Sequence, residues 1–110
     1  MHMRPIRVGE FDCVAVEVKL PKTNLIAVQT DTGYVMCGAL DVQLLRDRLQ
    51  HRGIMAARAV GVKTIEELLA GSVESCTQEA ERIGIVPGMA VQEALIRMKQ
   101  AELAQPVSGT

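Results

Sequence analysis

Cys37 stands within residues 33–41, GYVMCGALD, at the end of an apparent strand and just before a helix start. A helix N-terminus favours negative charge, so a thiol held there can ionise and act as a nucleophile. The same thiol alternates with Val35 and Ala39, as a small core residue would, and neither His2 nor His51 has a context that ties it to Cys37 as a base. Asp41 offers a carboxylate at the same junction, as a general base or, with no further assumption, as the helix N-cap.

Arg58 lies inside the apolar run of residues 54–62, IMAARAVGV. A buried guanidinium needs a carboxylate, carbonyls or an anionic ligand, so the expectation is an internal or intersubunit ion pair with Asp41, Glu66 or Glu67, with ligand binding as the alternative. In residues 61–64, GVKT, Lys63, the Thr64 hydroxyl and free helix-start amides suit a generic anion. The stretch is no Walker loop, because Val62 and Ala57 occupy the glycine positions. A capped helix with a solvated lysine explains it as well. Lys22 and Asn24, in the polar turn PKTN, have the same standing: ligand candidates that turn chemistry already accounts for. One reading is therefore a small enzyme acting on an anionic metabolite, with Cys37 as nucleophile and Arg58 or Lys63 holding the charge. The other, which the absence of a complete catalytic constellation favours, is a non-catalytic module that binds a small metabolite or another protein between subunits.

The elements that must position these residues follow from periodicity. Residues 11–20, FDCVAVEVKL, alternate as a strand, with Val14, Val16, Val18 and Leu20 on one side. After the turn, LIAVQT resumes extended character; Asp31-Thr32-Gly33 supplies a hairpin loop with Gly33 available for positive φ, and residues 34–40 return. Residues 6–8 form a short first strand. Val42, Leu45 and Leu49 then recur at helical spacing between Asp41 and Gly53. Residues 54–62 read as a buried strand. Thr64 and Glu67 form a capping box for IEELLA; Ser75 and Gln78 repeat it for a helix ending at Gly84, which places Cys76 in a first helical turn. Pro87-Gly88 precede a last helix with Val91, Ala94, Leu95 and Met98 on one face, and residues 105–110, without periodicity, are expected to be a disordered tail. The expected architecture is α+β: an N-terminal antiparallel sheet of hairpins, then helices packed on one sheet face with one further strand, in a single domain over residues 1–104. The strands are apolar on both sides, whereas a monomeric antiparallel sheet usually shows water one polar face, so subunit association is the economical cover for the second.

Bulk properties narrow the classes. A chain of 110 residues buries roughly 65% of its unfolded surface, enough for a core without staples. With 12 basic and 13 acidic residues intermixed and a net charge of −1, it lacks the electrostatic footprint of a nucleic-acid or lipid-surface binder. One Tyr, one Phe and no Trp leave little on which bases can stack. No apolar run approaches the ~18 residues of a membrane span, and MHMRPIRV lacks the apolar centre of a signal peptide, so the expected compartment is the cytoplasm. Three widely spaced cysteines without a Cys-x-x-Cys pair fit that, and no metal or cofactor fingerprint is present. His51 reads as a surface residue at a helix end, and the six methionines as gap fillers.

Three segments together resemble a known family: VKLPKTNLIAVQTDTGYVMCGALD (18–41), RGIMAARAVGVKTIEELL (52–69) and GIVPGMAVQEAL (84–95). They look like the YunC-like family, a bacterial and archaeal domain of unknown function, and the resemblance extends over about residues 6–98. It implies an N-terminal β-sheet region that serves tetramerisation. It implies no reaction and no site residue.

Overall fold

The computed structural model describes residues 2–21, 23–37 and 55–104. Among these residues six strands form one sheet in sequence order: β1 (His2–Val8), β2 (Phe11–Leu20), β3 (Thr23–Gln29), β4 (Gly33–Met36), β5 (Met55–Arg58) and β6 (Ser75–Cys76). Strands β1 to β4 run antiparallel, β5 lies parallel to β4, and β6 is antiparallel to β5. A parallel neighbour requires a long crossover, and the 18-residue gap between Met36 and Met55 supplies the length. The helix expected between Asp41 and Gly53 falls in that gap, outside the described residues, as do His51 and the tail 105–110. The helices among the described residues are α1 (Ile65–Ala70), α2 (Gln78–Arg82) and α3 (Val91–Ala104). The fold is thus α+β, as the periodicity predicts.

Several boundaries differ from expectation for local reasons. β1 has seven residues rather than three, because pairing with the long β2 carries it back to His2. The apolar run 54–62 contributes only four strand residues, ending at Arg58. Ser75 and Cys76 form a second late strand, on β5, instead of starting a helix; Thr77 is the true N-cap of α2, its hydroxyl accepting from the Ala80 amide. That hydroxyl also accepts from the Ala56 amide at 3.1 Å, which ties the cap to β5. Gly33 is needed for close approach rather than for positive φ. It sits inside β4, where a Cβ would lie 2.9 Å from the Met55 carbonyl oxygen and 3.0 Å from the Met98 sulfur. Thr64 caps α1 as expected, accepting from the Glu67 amide, while the Glu67 carboxylate reaches past the N-cap to accept from the Lys63 amide one residue earlier.

The register sorts the sheet into two faces. Ala15, Val28, Val35, Ala57 and Cys76 are successive cross-strand partners, all buried in the core with Ile65 and Leu68 of α1 and Val91, Ala94, Leu95 and Met98 of α3. The adjacent row runs Met3, Val16, Ala27, Met36, Arg58, Ser75 and points the other way. The strand β2 therefore turns Cys13 and Ala15 to the helices and Val14, Val16 and Val18 away from them. Those three valines and Leu25 are only half-buried, and Met3 is 56% exposed.

Candidate functional site

The C-terminal ends of β4 and β5 are where the sequence places most of its candidate chemistry. Cys37 extends β4 by one residue: its amide donates to the Ile26 carbonyl at 3.0 Å, and the Ala59 amide donates to the neighbouring Met36 carbonyl at 2.9 Å. Its side chain is 5% exposed, within the core cluster, with the sulfur 4.0 Å from the Asn24 carbonyl oxygen. Asn24 itself is exposed and meets Cys37 through its backbone. Lys22 and Asp41 lie outside the described residues.

Arg58 points to the opposite face, as the partner of Met36. Its Nε and one terminal nitrogen donate to Glu74 Oε1 at 3.0 and 2.9 Å, and the Ser75 hydroxyl donates to the same oxygen at 2.6 Å. The Ser75 hydroxyl first, and then the Arg58 guanidinium, hold the Glu74 carboxyl below the usual carboxylate range. Among the described carboxylates Glu74 pairs with Arg58; of the expected partners Asp41, Glu66 and Glu67, Asp41 lies outside the described residues. Glu66 meets Arg4 instead, and Glu67 closes the α1 cap. The Glu74 pairing was hidden because Ser75 reads as a helix cap; once Ser75 is a strand residue opposite Arg58, its neighbour comes into reach.

Lys63 and Thr64 are exposed at the start of α1, where they serve the cap. The register thus separates the proposed nucleophile from the proposed anion holder: Cys37 faces the helices and Arg58 the other side of the sheet. Among the described residues no group of three or more His, Cys, Asp or Glu side chains is arranged to hold a metal ion. Among the described residues no helix is long and apolar enough to cross a membrane.

A second polar centre has no signal in the sequence. Glu102, near the end of α3, receives on Oε2 the hydroxyls of Thr30 and Thr32, both at 2.6 Å, and the Thr32 amide at 2.9 Å. Its side chain is 10% exposed, with Lys99 Nζ 3.8 Å from Oε1 and also 3.8 Å from Asp31. Burial pushes the Glu102 carboxyl up, but the three donors and the Lys99 charge more than offset it, and the carboxyl titrates below its ordinary value. This carboxylate fastens α3 to the β3–β4 hairpin. Nearby, burial first of all raises the Cys13 thiol, against the lowering pull of Lys99.

Comparison with known proteins agrees with the architecture. Over 98 residues the chain is 53% identical to the uncharacterized protein YunC of Bacillus subtilis (strain 168), covering 89% of this chain and 97% of that protein. The crystal structure of TA1206, a protein of unknown function from Thermoplasma acidophilum, superposes with a TM-score of 0.77 at 27% identity, covering 87% of this chain and 90% of that one. Residues 36–98 match the family described as a domain of unknown function, DUF1805. The resemblance carried by the three sequence segments is thereby borne out, and the chain belongs to the DUF1805 family.

Proposed function

We propose that this protein is a self-assembling, non-catalytic module, one α+β domain over residues 1–104 whose copies associate through the N-terminal sheet and which binds a small metabolite or another protein. The observation that carries the reading is the inversion on β2: the row Val14, Val16, Val18 faces away from the helices, half-buried, while the smaller Cys13 and Ala15 take the core side. Burying apolar surface is worth roughly 25 cal/mol per Å², so a valine row turned away from the helix layer is stabilising only when something else covers it. The tetramerisation implied by the family resemblance supports a homotetramer, and three free cysteines fit a cytoplasmic setting. Placement of Cys37 and Arg58 on opposite sheet faces supports the non-catalytic reading over a Cys37 nucleophile acting on an Arg58-held anion. Size-exclusion chromatography with light scattering tests the proposal. A mass that is a multiple of the protomer's at micromolar concentration is expected; a monomer overturns it.

A further inference from the structure

We propose that the β3–β4 turn is a binding site for a small carboxylate ligand and that Glu102, in the last turn of α3, is its built-in competitor. The inference specifies the metabolite-binding part of the proposed function and does not depend on how copies associate.

The donors belong to the turn itself. The Thr30 amide donates to the Gly33 carbonyl at 2.8 Å and the Gly33 amide donates back to the Thr30 hydroxyl at 3.0 Å, so the hairpin fixes this loop without help from α3. Held in that way, the Thr30 hydroxyl, the Thr32 hydroxyl and the Thr32 amide converge on a single point, which Glu102 Oε2 occupies. Donors aimed together at one oxygen are what a carboxylate site requires.

Glu102 fills only half of that site. Its side chain is 10% exposed, yet among the described residues no hydrogen-bond donor reaches Oε1. Lys99 Nζ stands 3.8 Å from Oε1 and 3.8 Å from Asp31 Oδ2, beyond hydrogen-bonding distance of both. A free carboxylate has no helix backbone to obey, and it can set one oxygen among the threonine donors and the other on the Lys99 ammonium. The exposed Asp31 beside that lysine favours a singly charged ligand over a phosphate dianion. The resident carboxylate is also displaceable. Met98 is the last residue of α3 in the core and Leu103 is 75% exposed, so the helix end is held through the polar contacts of Lys99 and Glu102, which open at low cost.

The test follows the Thr32 amide by heteronuclear NMR in full-length Glu102→Ala and in the wild type, titrated with sodium acetate against sodium chloride at matched ionic strength. Hydrogen bonds to a charged group favour the closed form by about tenfold, so acetate should bind Glu102→Ala about tenfold more tightly than the wild type. Adding Lys99→Met to Glu102→Ala should lose most of that affinity. In the wild type, acetate should speed amide hydrogen exchange over residues 100–104 as Glu102 is displaced. No Thr32 response in Glu102→Ala, or equal affinity in the two proteins, overturns the proposal whatever mass the protein has in solution; a monomeric wild type overturns self-association and leaves this site standing. Should Glu102→Ala fail to fold, the wild type decides alone. A Thr32 shift with faster exchange at the helix end supports the site, and the absence of either overturns it.

Discussion

Glu102 shows what one side chain contributes when its donors converge. Replacing it by Gln removes the charge and leaves an acceptor, so Glu102→Gln should lower stability by about 1–2 kcal/mol near neutral pH, as expected for hydrogen bonds to a charged group. The sign of the pH dependence follows from the lowered carboxyl. Its contribution is fully present above the unfolded value, roughly 4.3, and is lost as pH falls through the folded one. Urea unfolding should therefore separate wild type from Glu102→Gln at neutral pH and bring them together in acid; an equal gap at both would refute the assignment. Cys13, Cys37 and Cys76 are all buried, so alkylation of the native protein should be slow at all three and rapid only after unfolding, read by peptide mass spectrometry. Fast labelling of Cys37 alone would revive the nucleophile. The core alternation of Cys37 was legible in the sequence. The Glu102 contact was not, because it joins residues 70 apart and local periodicity carries no information about which loop a helix end will meet.

At the level of elements, the alternating strands, the hairpins, the Thr64–Glu67 cap and the apolar stripe of α3 were all legible, since each rests on interactions within a few residues. Ser75 and Thr77 show where that logic fails. Both are good N-caps, and β6 pairing with β5 decides in favour of Thr77. Because the Thr77 hydroxyl, buried, accepts from both the Ala56 and Ala80 amides, Thr77→Ala should destabilise by about 2 kcal/mol in thermal or urea unfolding, the upper end for a lost cap. Thr77→Ser should recover most of it. The tight approach at Gly33 gives a complementary expectation. Gly33→Ala meets the Met55 carbonyl and should cost about 1–3 kcal/mol by overpacking, without altering the turn itself.

Across the whole molecule, helix packing on one face leaves the β2 valines on the other, and Arg58 belongs to that second face as the polar end of a row that begins at Met3. The guanidinium in the apolar run that looked anomalous in the sequence is half-buried there and donates to Glu74, whose carboxylate also accepts from the Ser75 hydroxyl. Which face of a two-sided apolar strand meets the helices cannot be read from alternation alone, because period two defines the faces but not their occupants. The most direct measurement of assembly through this face is the rate of Met3 oxidation by dilute peroxide in the associated protein, compared with the unfolded chain and followed by peptide mass spectrometry. Met3 is more than half exposed in a single chain and lies beside Val16, so it should be strongly protected in the associated protein. Oxidation of Met3 in an oligomer as fast as in the unfolded chain would contradict it.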